Sequence, residues 1–131
     1  NLLQIRPAPR DEDDETDKLY TDEGNGMSDM ALHMKTLEIE FSLYLPSLTD
    51  MQKAILKQTI IELYNQFGIF WETDIRKLKA TDFPILSDLH ALLEKKAAAN
   101  KENPVYRDLA MLLYDAAAGS YSFLWNGHTT L

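Results

Sequence analysis

The sequence predicts an all-α fold, a bundle of about four amphipathic helices with short extended segments at both ends. Apolar side chains recur at spacings of three and four along most of the chain, which is the periodicity of amphipathic helices. Capping residues precede several of these stretches, and little of the chain has the pattern of a strand. With 131 residues, 45% of them hydrophobic, the chain can form one domain with a substantial core.

Residues 1–27 are expected to form an extended N-terminal segment and an acidic loop. Residues 2–5 alternate weakly, like the end of a strand, and Pro7 stops regular structure because proline lacks a backbone donor. The acidic run at 11–17 is typical of a solvated loop, and the alternative is that it docks onto a basic partner.

The helical domain is expected to cover residues 28–119, and its first helix runs roughly from Ser28 to Leu45. A second apolar set lies off the main stripe of this helix, and a helix apolar on two sides is usually packed on both. The main stripe contains Met30, Met34, Leu37, Phe41 and Tyr44, and the second set contains Leu32, Ile39 and Leu43.

The second helix begins after a capping box, in which Thr49 and Gln52 each bond the other's backbone amide. It is predicted to run to about Phe67, with Gly68 as the residue that ends it. The side chains expected to face inward are Met51, Ile55, Leu56, Ile60, Leu63, Tyr64 and Phe67.

Residues 69–71 look like a short extended piece, and Thr73 is predicted to cap a turn or two of helix through Leu78. Pro84 suits the first turn of a third helix, roughly Ile85 to Ala98, because the first turn does not need its missing donor. The apolar face of this helix contains Leu86, Leu89, Leu92 and Leu93.

A fourth helix is predicted to begin at Asn103 and Pro104, which act as cap and first turn, and to end at Gly119. Residues 120–131 are expected to form an extended C-terminal segment. The apolar face of the fourth helix contains Val105, Leu109, Leu112, Leu113 and Ala116.

Composition excludes several classes of protein. The chain has no cysteine, which rules out disulfides, thiolate zinc sites and cysteine nucleophiles. No apolar run approaches the length needed to span a bilayer. The net charge is −8, and residues 1–23 carry eight acidic and three basic side chains. Because nucleic-acid binding depends on cations that displace counterions, direct nucleic-acid binding is not expected.

No catalytic, cofactor-binding or metal-binding residue is assigned from the sequence. A phosphate loop needs glycines followed by a lysine and a hydroxyl, and the chain contains no Gly-Lys pair. The acidic pairs at 11–12, 14–15 and 22–23 do not follow an apolar strand, as a magnesium motif would require. Nucleotide hydrolysis therefore cannot be assigned to these residues alone.

The three histidines are candidate ligands. His90 and Glu94 are four residues apart and could hold a metal, but an ion pair on a helix surface is the preferred interpretation. His33 is interpreted as a surface residue. His128 follows a glycine in a predicted turn and could approach a neighbouring subunit or a nucleotide in a larger protein.

The basic residues are interpreted as surface residues and the tryptophans as packing residues, with no ligand-binding role. Two lysine-rich clusters could touch DNA, although clusters of this size are common on protein surfaces. They comprise Arg76, Lys77 and Lys79, and Lys95, Lys96 and Lys101. Trp71 and Trp125 are expected in a core or a domain seam, and the methionines are interpreted as core filling.

Two segments carry a resemblance to a known family. They are Asp82-Phe83-Pro84-Ile85-Leu86-Ser87-Asp88-Leu89 and Gly119-Ser120-Tyr121-Ser122-Phe123-Leu124-Trp125-Asn126-Gly127-His128-Thr129. With Asn1–Pro7 and the region around Leu48-Thr49-Asp50, they resemble the all-α segment between the two nucleotide motifs of the VirB-type traffic ATPases of type IV secretion and conjugation.

The resemblance implies a parent ATPase with a RecA-like core, which binds ATP and magnesium outside this chain. It also implies an oligomeric, ring-forming parent that works with other type IV secretion components at the cytoplasmic face of the membrane. Residues 120–131 would return to the nucleotide-binding core. The alternative function is that of a free-standing helical adaptor that binds another protein and has no link to nucleotide.

Overall fold

The computed structural model describes residues 1–7 and 28–118. Within these ranges it contains four α-helices and two short 3-10 turns, and no strand. The helices are α1 (Asp29–Tyr44), α2 (Asp50–Gln66), α3 (Leu86–Ala99) and α4 (Val105–Ala118), and the 3-10 turns are Ile75–Lys77 and Ala80–Asp82. The prediction of an all-α bundle is confirmed.

Side-chain caps fix the starts of the first two helices. The Ser28 hydroxyl accepts a hydrogen bond from the Ala31 amide at 3.1 Å, and α1 begins at the next residue. The predicted capping box of α2 is present, since Gln52 N donates to Thr49 Oγ1 at 3.1 Å and Thr49 N donates to Gln52 Oε1 at 2.9 Å. Two amides that the helix itself leaves unpaired are thereby satisfied.

Gly68 ends α2 as predicted, because only glycine adopts its φ of 78° without strain. The Gly68 amide donates to the Asn65 carbonyl at 3.0 Å, and the Ile69 amide donates to the Tyr64 carbonyl at 2.9 Å. This pair of bonds is a Schellman motif. The motif turns the chain so that Ile69 is fully buried directly after the helix.

The connection between α2 and α3 differs from the predictions. Residues 69 and 70 have no regular secondary structure and residues 71 and 72 form a turn, so no strand is present at 69–71. Asp74, not Thr73, caps the first 3-10 turn, since its carboxylate accepts from the Arg76 amide at 3.1 Å. The Thr73 hydroxyl instead accepts from the Phe70 amide at 2.8 Å, which closes the turn after the helix.

The last two helices begin close to their predicted positions. Helix α3 starts at Leu86, so Pro84 lies before the helix and not in its first turn. The Asp88 carboxylate accepts from the Ile85 amide at 2.8 Å and fixes this start. Asn103 acts as predicted, because its side-chain oxygen accepts from the Val105 amide at 3.2 Å at the start of α4.

One apolar core joins all four helices and residues 1–7. Burying a leucine-sized side chain contributes roughly 1.5–3 kcal/mol, so this core is the main source of stability. The side chains with the least exposure are Tyr64, Phe83, Leu3, Ile5, Met30, Leu37, Ile60, Ile69, Leu89, Leu93, Leu109 and Leu113.

Two residues predicted to face inward on α2 are exposed. Met51 is 71% exposed because, at 100° per residue, it lies on the opposite side of the helix from Leu56 and Ile60. Phe67 lies on the buried side by angle, but it follows the last helical residue and projects past the end of the core.

The two apolar sides of α1 have different environments. Its main stripe is buried as predicted, apart from Tyr44 at the helix end, which is partly exposed. The second set, predicted to be packed as well, is exposed in this chain and consists of Leu32, Ile39 and Leu43.

Candidate functional site

The first seven residues, here called the strap, are packed into the helical bundle. Leu3 and Ile5 are fully buried in the common core. The Tyr64 hydroxyl donates to the Leu3 carbonyl at 2.7 Å, a fully buried bond between residues 61 apart in sequence. Asn1 adds a third attachment, since its side-chain amide donates to the Pro84 carbonyl at 2.8 Å. The strap is therefore fixed to α2 and to the start of α3.

His33 ties the strap to α1. Its Nε2 lies 3.1 Å from the Leu2 carbonyl oxygen, and because a carbonyl only accepts, Nε2 carries the proton. The ring also meets the Tyr64 ring edge-on, with centroids 6.5 Å apart. Burial lowers the pKa of His33 to about 4, against the smaller opposing effect of its bond to Leu2. The imidazole is thus neutral at physiological pH.

His33 was predicted to be a surface residue, and the structure shows it partly buried. The sequence contains a signal for this, since His33 follows Met30 by three residues and precedes Leu37 by four, and both belong to the buried stripe. What the sequence could not supply was the partner, because the Leu2 carbonyl lies 31 residues away.

A polar cavity of about 490 Å³ lies between the strap and α1. The side-chain oxygen of Gln4 is buried there without a hydrogen-bond partner. Burial also raises the pKa of Glu40, which lines the same space. The cavity is lined by Asn1, Leu2, Gln4, Arg6, Asp29, Leu32, His33, Thr36, Glu40 and Tyr44.

An apolar groove of about 410 Å³ separates α1 from α2. Its floor consists of core side chains, including Phe41 and Leu56, and an ion pair between Lys57 and Glu38 crosses its rim at 3.0 Å. Both charged side chains are about half exposed, so the pair adds little stability.

His90 and Glu94 are in contact on α3, with 3.1 Å between His90 Nε2 and a Glu94 oxygen. The Tyr114 ring of α4 lies 6.0 Å from the His90 ring. Within residues 1–7 and 28–118, no three histidine, cysteine or acidic side chains converge as metal ligands would.

In each basic cluster, one side chain contacts an acidic group. Arg76 contacts the Asp74 carboxylate at 3.4 Å, and the hydrogen bond from the Arg76 amide, together with this contact, lowers the pKa of Asp74. Lys96 contacts Glu62 of α2 at 3.0 Å and lies 5.4 Å above the centre of the Tyr106 ring. Trp71 is exposed in the turn after α2, so it does not lie in the core, and its predicted place in a domain seam stays a prediction.

Three of the sequence-based candidates lie outside the described residues, namely the acidic run at 11–17, Trp125 and His128. In the part of the chain that the structure describes, no helix is long and apolar enough to cross a membrane. The described residues attach the strap to three parts of the bundle. They also form grooves and exposed apolar faces that are suited to contacts.

Comparison with known proteins identifies a solved structure that is similar to the chain. No family model and no curated protein matches the chain. A solved structure, that of VirB4 of Thermoanaerobacter pseudethanolicus, matches with a TM-score of 0.77 and 37% sequence identity over 100% of this chain. The chain spans 30% of the length of that VirB4 chain. Because the match has 37% identity and extends over the whole chain, the chain belongs to the VirB4-type family of type IV secretion ATPases and forms an all-α domain within it.

Proposed function

We propose that this chain is the inserted helical domain of a VirB4-type secretion ATPase, which transmits ATP-driven motion and contributes no catalytic group of its own. In this proposal the parent binds ATP and magnesium through residues outside the chain. Residues 1–27 and 120–131 connect the helical domain, residues 28–119, to the nucleotide-binding core.

The attachment of the strap is the observation that carries this proposal. A linker that merely tethered a domain would not need its carbonyls held by Tyr64 and His33, or its Leu3 and Ile5 fully buried. Because these contacts reach α1, α2 and the start of α3, a displacement of the chain before residue 1 would move the bundle as a rigid body. The domain can therefore act as a lever.

The proposed partners follow from the family. They are other subunits of the same ATPase, in a ring or another oligomer, and further components of the type IV secretion machinery, at the cytoplasmic face of the membrane. Transfer of protein or DNA, including conjugation, would be the process served. A net charge of −8 disfavours direct nucleic-acid binding by this domain. The identity of 37% to a VirB4 over the whole chain favours this function over that of a free-standing adaptor.

Deletion of the helical domain from the full-length parent tests the proposal. We expect the protein without residues 28–119 to bind ATP and to support no secretion or conjugation, because the proposed ATP site lies outside this domain and the lever is lost. Transfer at the normal level by this deletion protein would contradict the proposal.

A single substitution gives a finer test of the lever. Tyr64→Phe removes the buried bond to the strap and keeps the ring, and Tyr114→Phe is the matched control at an exposed position. In the full-length protein we expect Tyr64→Phe to reduce transfer about fivefold or more at unchanged ATP turnover, which is the lower range of measured coupling between sites. Equal transfer by the two variants would count against the strap as the connection.

A further inference from the structure

Helix α4 carries an exposed stripe of three side chains spaced four residues apart. They are Arg107, Met111 and Asp115, here called the α4 stripe, and Met111 is 59% exposed. At 100° per residue the three lie within about 80° of the helix surface. A cation and a carboxylate therefore lie at equal distances, about 6 Å along the helix axis, on either side of an apolar centre.

The two charges of the α4 stripe do not satisfy each other. Ion pairs on one helix form between residues three or four apart, whereas Arg107 and Asp115 are separated by about 12 Å of helix rise. Neither has an ion-pair partner within residues 1–7 and 28–118. Asp108 lies about 100° around the helix from Arg107, on a half-buried flank. The described part of the chain thus leaves both charges of the stripe without an opposite charge.

The α4 stripe borders an open groove of about 340 Å³ between α3 and α4. Ala97 and Ala110 line this groove, and small side chains allow a second helix to approach closely. Glu94 also lines it, but its carboxylate already contacts His90 at 3.1 Å. The groove therefore has room for a helix, and Arg107 and Asp115 remain as the charges that such a helix would meet.

The order of cation, apolar residue and carboxylate is self-complementary. If a second copy of α4 crosses the first antiparallel at Met111, its Asp115 lies opposite Arg107 and its Arg107 lies opposite Asp115. A two-fold axis at Met111 forms both ion pairs at once, as in the isologous contacts of dimers. A partner that carried charges of one sign would satisfy only one end of the stripe. Arginine and methionine are also enriched in protein interfaces.

We propose that the α4 stripe binds α4 of a second copy of this chain, with a two-fold axis at Met111. The Tyr114 hydroxyl takes no part in this contact. The inference deepens the proposed function, in which other subunits of the same ATPase are partners, and rests on it for the presence of those subunits. Ring contacts join different surfaces head to tail, whereas this contact would join subunits in pairs.

Disulfide formation between copies tests the contact, because the 131-residue chain contains no cysteine. In the full-length protein, with any cysteines elsewhere replaced, Met111→Cys would be oxidised gently and the covalent dimer measured on a denaturing gel. Helices that pack with their axes about 8–10 Å apart bring facing residues within reach of a disulfide. Met51→Cys on α2 is the matched control, since Met51 is 71% exposed. We expect Met111→Cys to cross-link at least about tenfold faster, because the contact raises the effective concentration of the two thiols.

Charge reversal shows whether Arg107 and Asp115 form the contact. In the Met111→Cys protein, Arg107→Asp places a carboxylate opposite each Asp115, and Asp115→Arg places two cations together in the same way. Either change alone should slow cross-linking about tenfold or more, because like charges repel across an interface. The double variant Arg107→Asp/Asp115→Arg exchanges the two ends and should restore the rate. A mixture of the two single variants, one of them with a size tag, should form the mixed dimer.

Three outcomes would overturn the proposal. Equal cross-linking of Met111→Cys and Met51→Cys would mean that the copies meet only by collision. Absence of a dimer at Met111→Cys would mean that another part of the polypeptide covers the stripe. Single reversals without effect, or a double variant that stays slow, would mean that the copies pair differently. If Met111→Cys did not fold, a mixture of Arg107→Cys and Asp115→Cys copies would replace it. Neither ATP turnover nor transfer enters the assay, so its failure is distinguishable from failure of the lever.

Discussion

The strap and the α3–α4 hairpin both bury apolar side chains in the core, but the strap is also held by hydrogen bonds between residues far apart in sequence. Side-chain hydrogen bonds to backbone carbonyls fix the strap, and they join residues 31, 61 and 83 apart in sequence. The hairpin instead packs leucines of two helices that follow each other within a few residues, including Leu89, Leu93 and Leu109. Hydrogen bonds are directional and fix the position of a segment. Apolar packing is non-directional and mainly stabilises it. The strap thus has the properties of a connection, and the hairpin those of a support.

The largest expected effect concerns whether the strap belongs to the core at all. Leu3→Ala should lower the free energy of unfolding by about 3 kcal/mol, as in other fully buried sites, and Leu89→Ala in the hairpin should cost a similar amount. Urea denaturation of both variants measures the two values. A loss below about 1 kcal/mol for Leu3→Ala alone would show that the strap is peripheral.

The second-largest effect is the pH dependence of the stability that His33 contributes where it holds the strap. The folded pKa of His33 is about 4 and its ordinary value is 6.5, so the unfolded chain binds more protons between these values. The contribution of His33 to stability is complete above pH 6.5 and is lost as pH falls toward 4, by roughly 2 kcal/mol after allowance for partial exposure.

His33→Gln provides the comparison, because glutamine can still donate to the Leu2 carbonyl but does not titrate. Unfolding free energies at pH 7 and pH 4.5 should differ more for the wild type than for this variant. An identical pH dependence in the two proteins would mean that His33 is not buried against the strap.

A smaller effect is expected from the buried hydroxyl. Tyr64→Phe leaves the Leu3 carbonyl buried without its donor, which should cost about 1–2 kcal/mol. Tyr114→Phe, at an exposed position on α4, should change stability by less than about 0.5 kcal/mol. Thermal unfolding of the two variants side by side checks this difference. Equal midpoints would mean that the hydrogen bond between Tyr64 and Leu3 does not stabilise the fold.

The smallest effect is expected at the groove between α1 and α2. Lys57→Ala removes a half-exposed ion pair with Glu38, which should cost no more than about 0.5 kcal/mol. The cost should disappear in 1 M salt, where the screening length is about 3 Å. A loss as large as that of Tyr64→Phe would mean that the ion pair holds the two helices together.

The sequence predicted local structure well. Thr49 with Gln52 and Gly68 placed both ends of α2, because caps act over three or four residues. The α1 stripe and the resemblance carried by Asp82–Leu89 were also sufficient to indicate the fold and the family, which the structure and the VirB4 comparison confirm.

The errors have different causes. Met51 lies opposite Leu56 and Ile60 by helical angle, Phe67 follows the last residue of α2, and the partner of His33 lies 31 residues away in sequence. The strap was predicted only as the weakly alternating end of a strand. Its role became visible when Tyr64 and His33 were found to hold its carbonyls, across distances in sequence that no local pattern spans.

Hydrogen exchange in the full-length protein tests most directly whether the strap and the helices form one unit. The amides of Leu3 and Gln4 are bonded to the side chain and the carbonyl of Asn1, at 3.1 and 3.2 Å. If the strap is part of the bundle, these amides should exchange within about tenfold of the amide of Ile60 in α2, because all would open together. Exchange of Leu3 and Gln4 at the rate of an open loop, while Ile60 stays protected, would contradict the account.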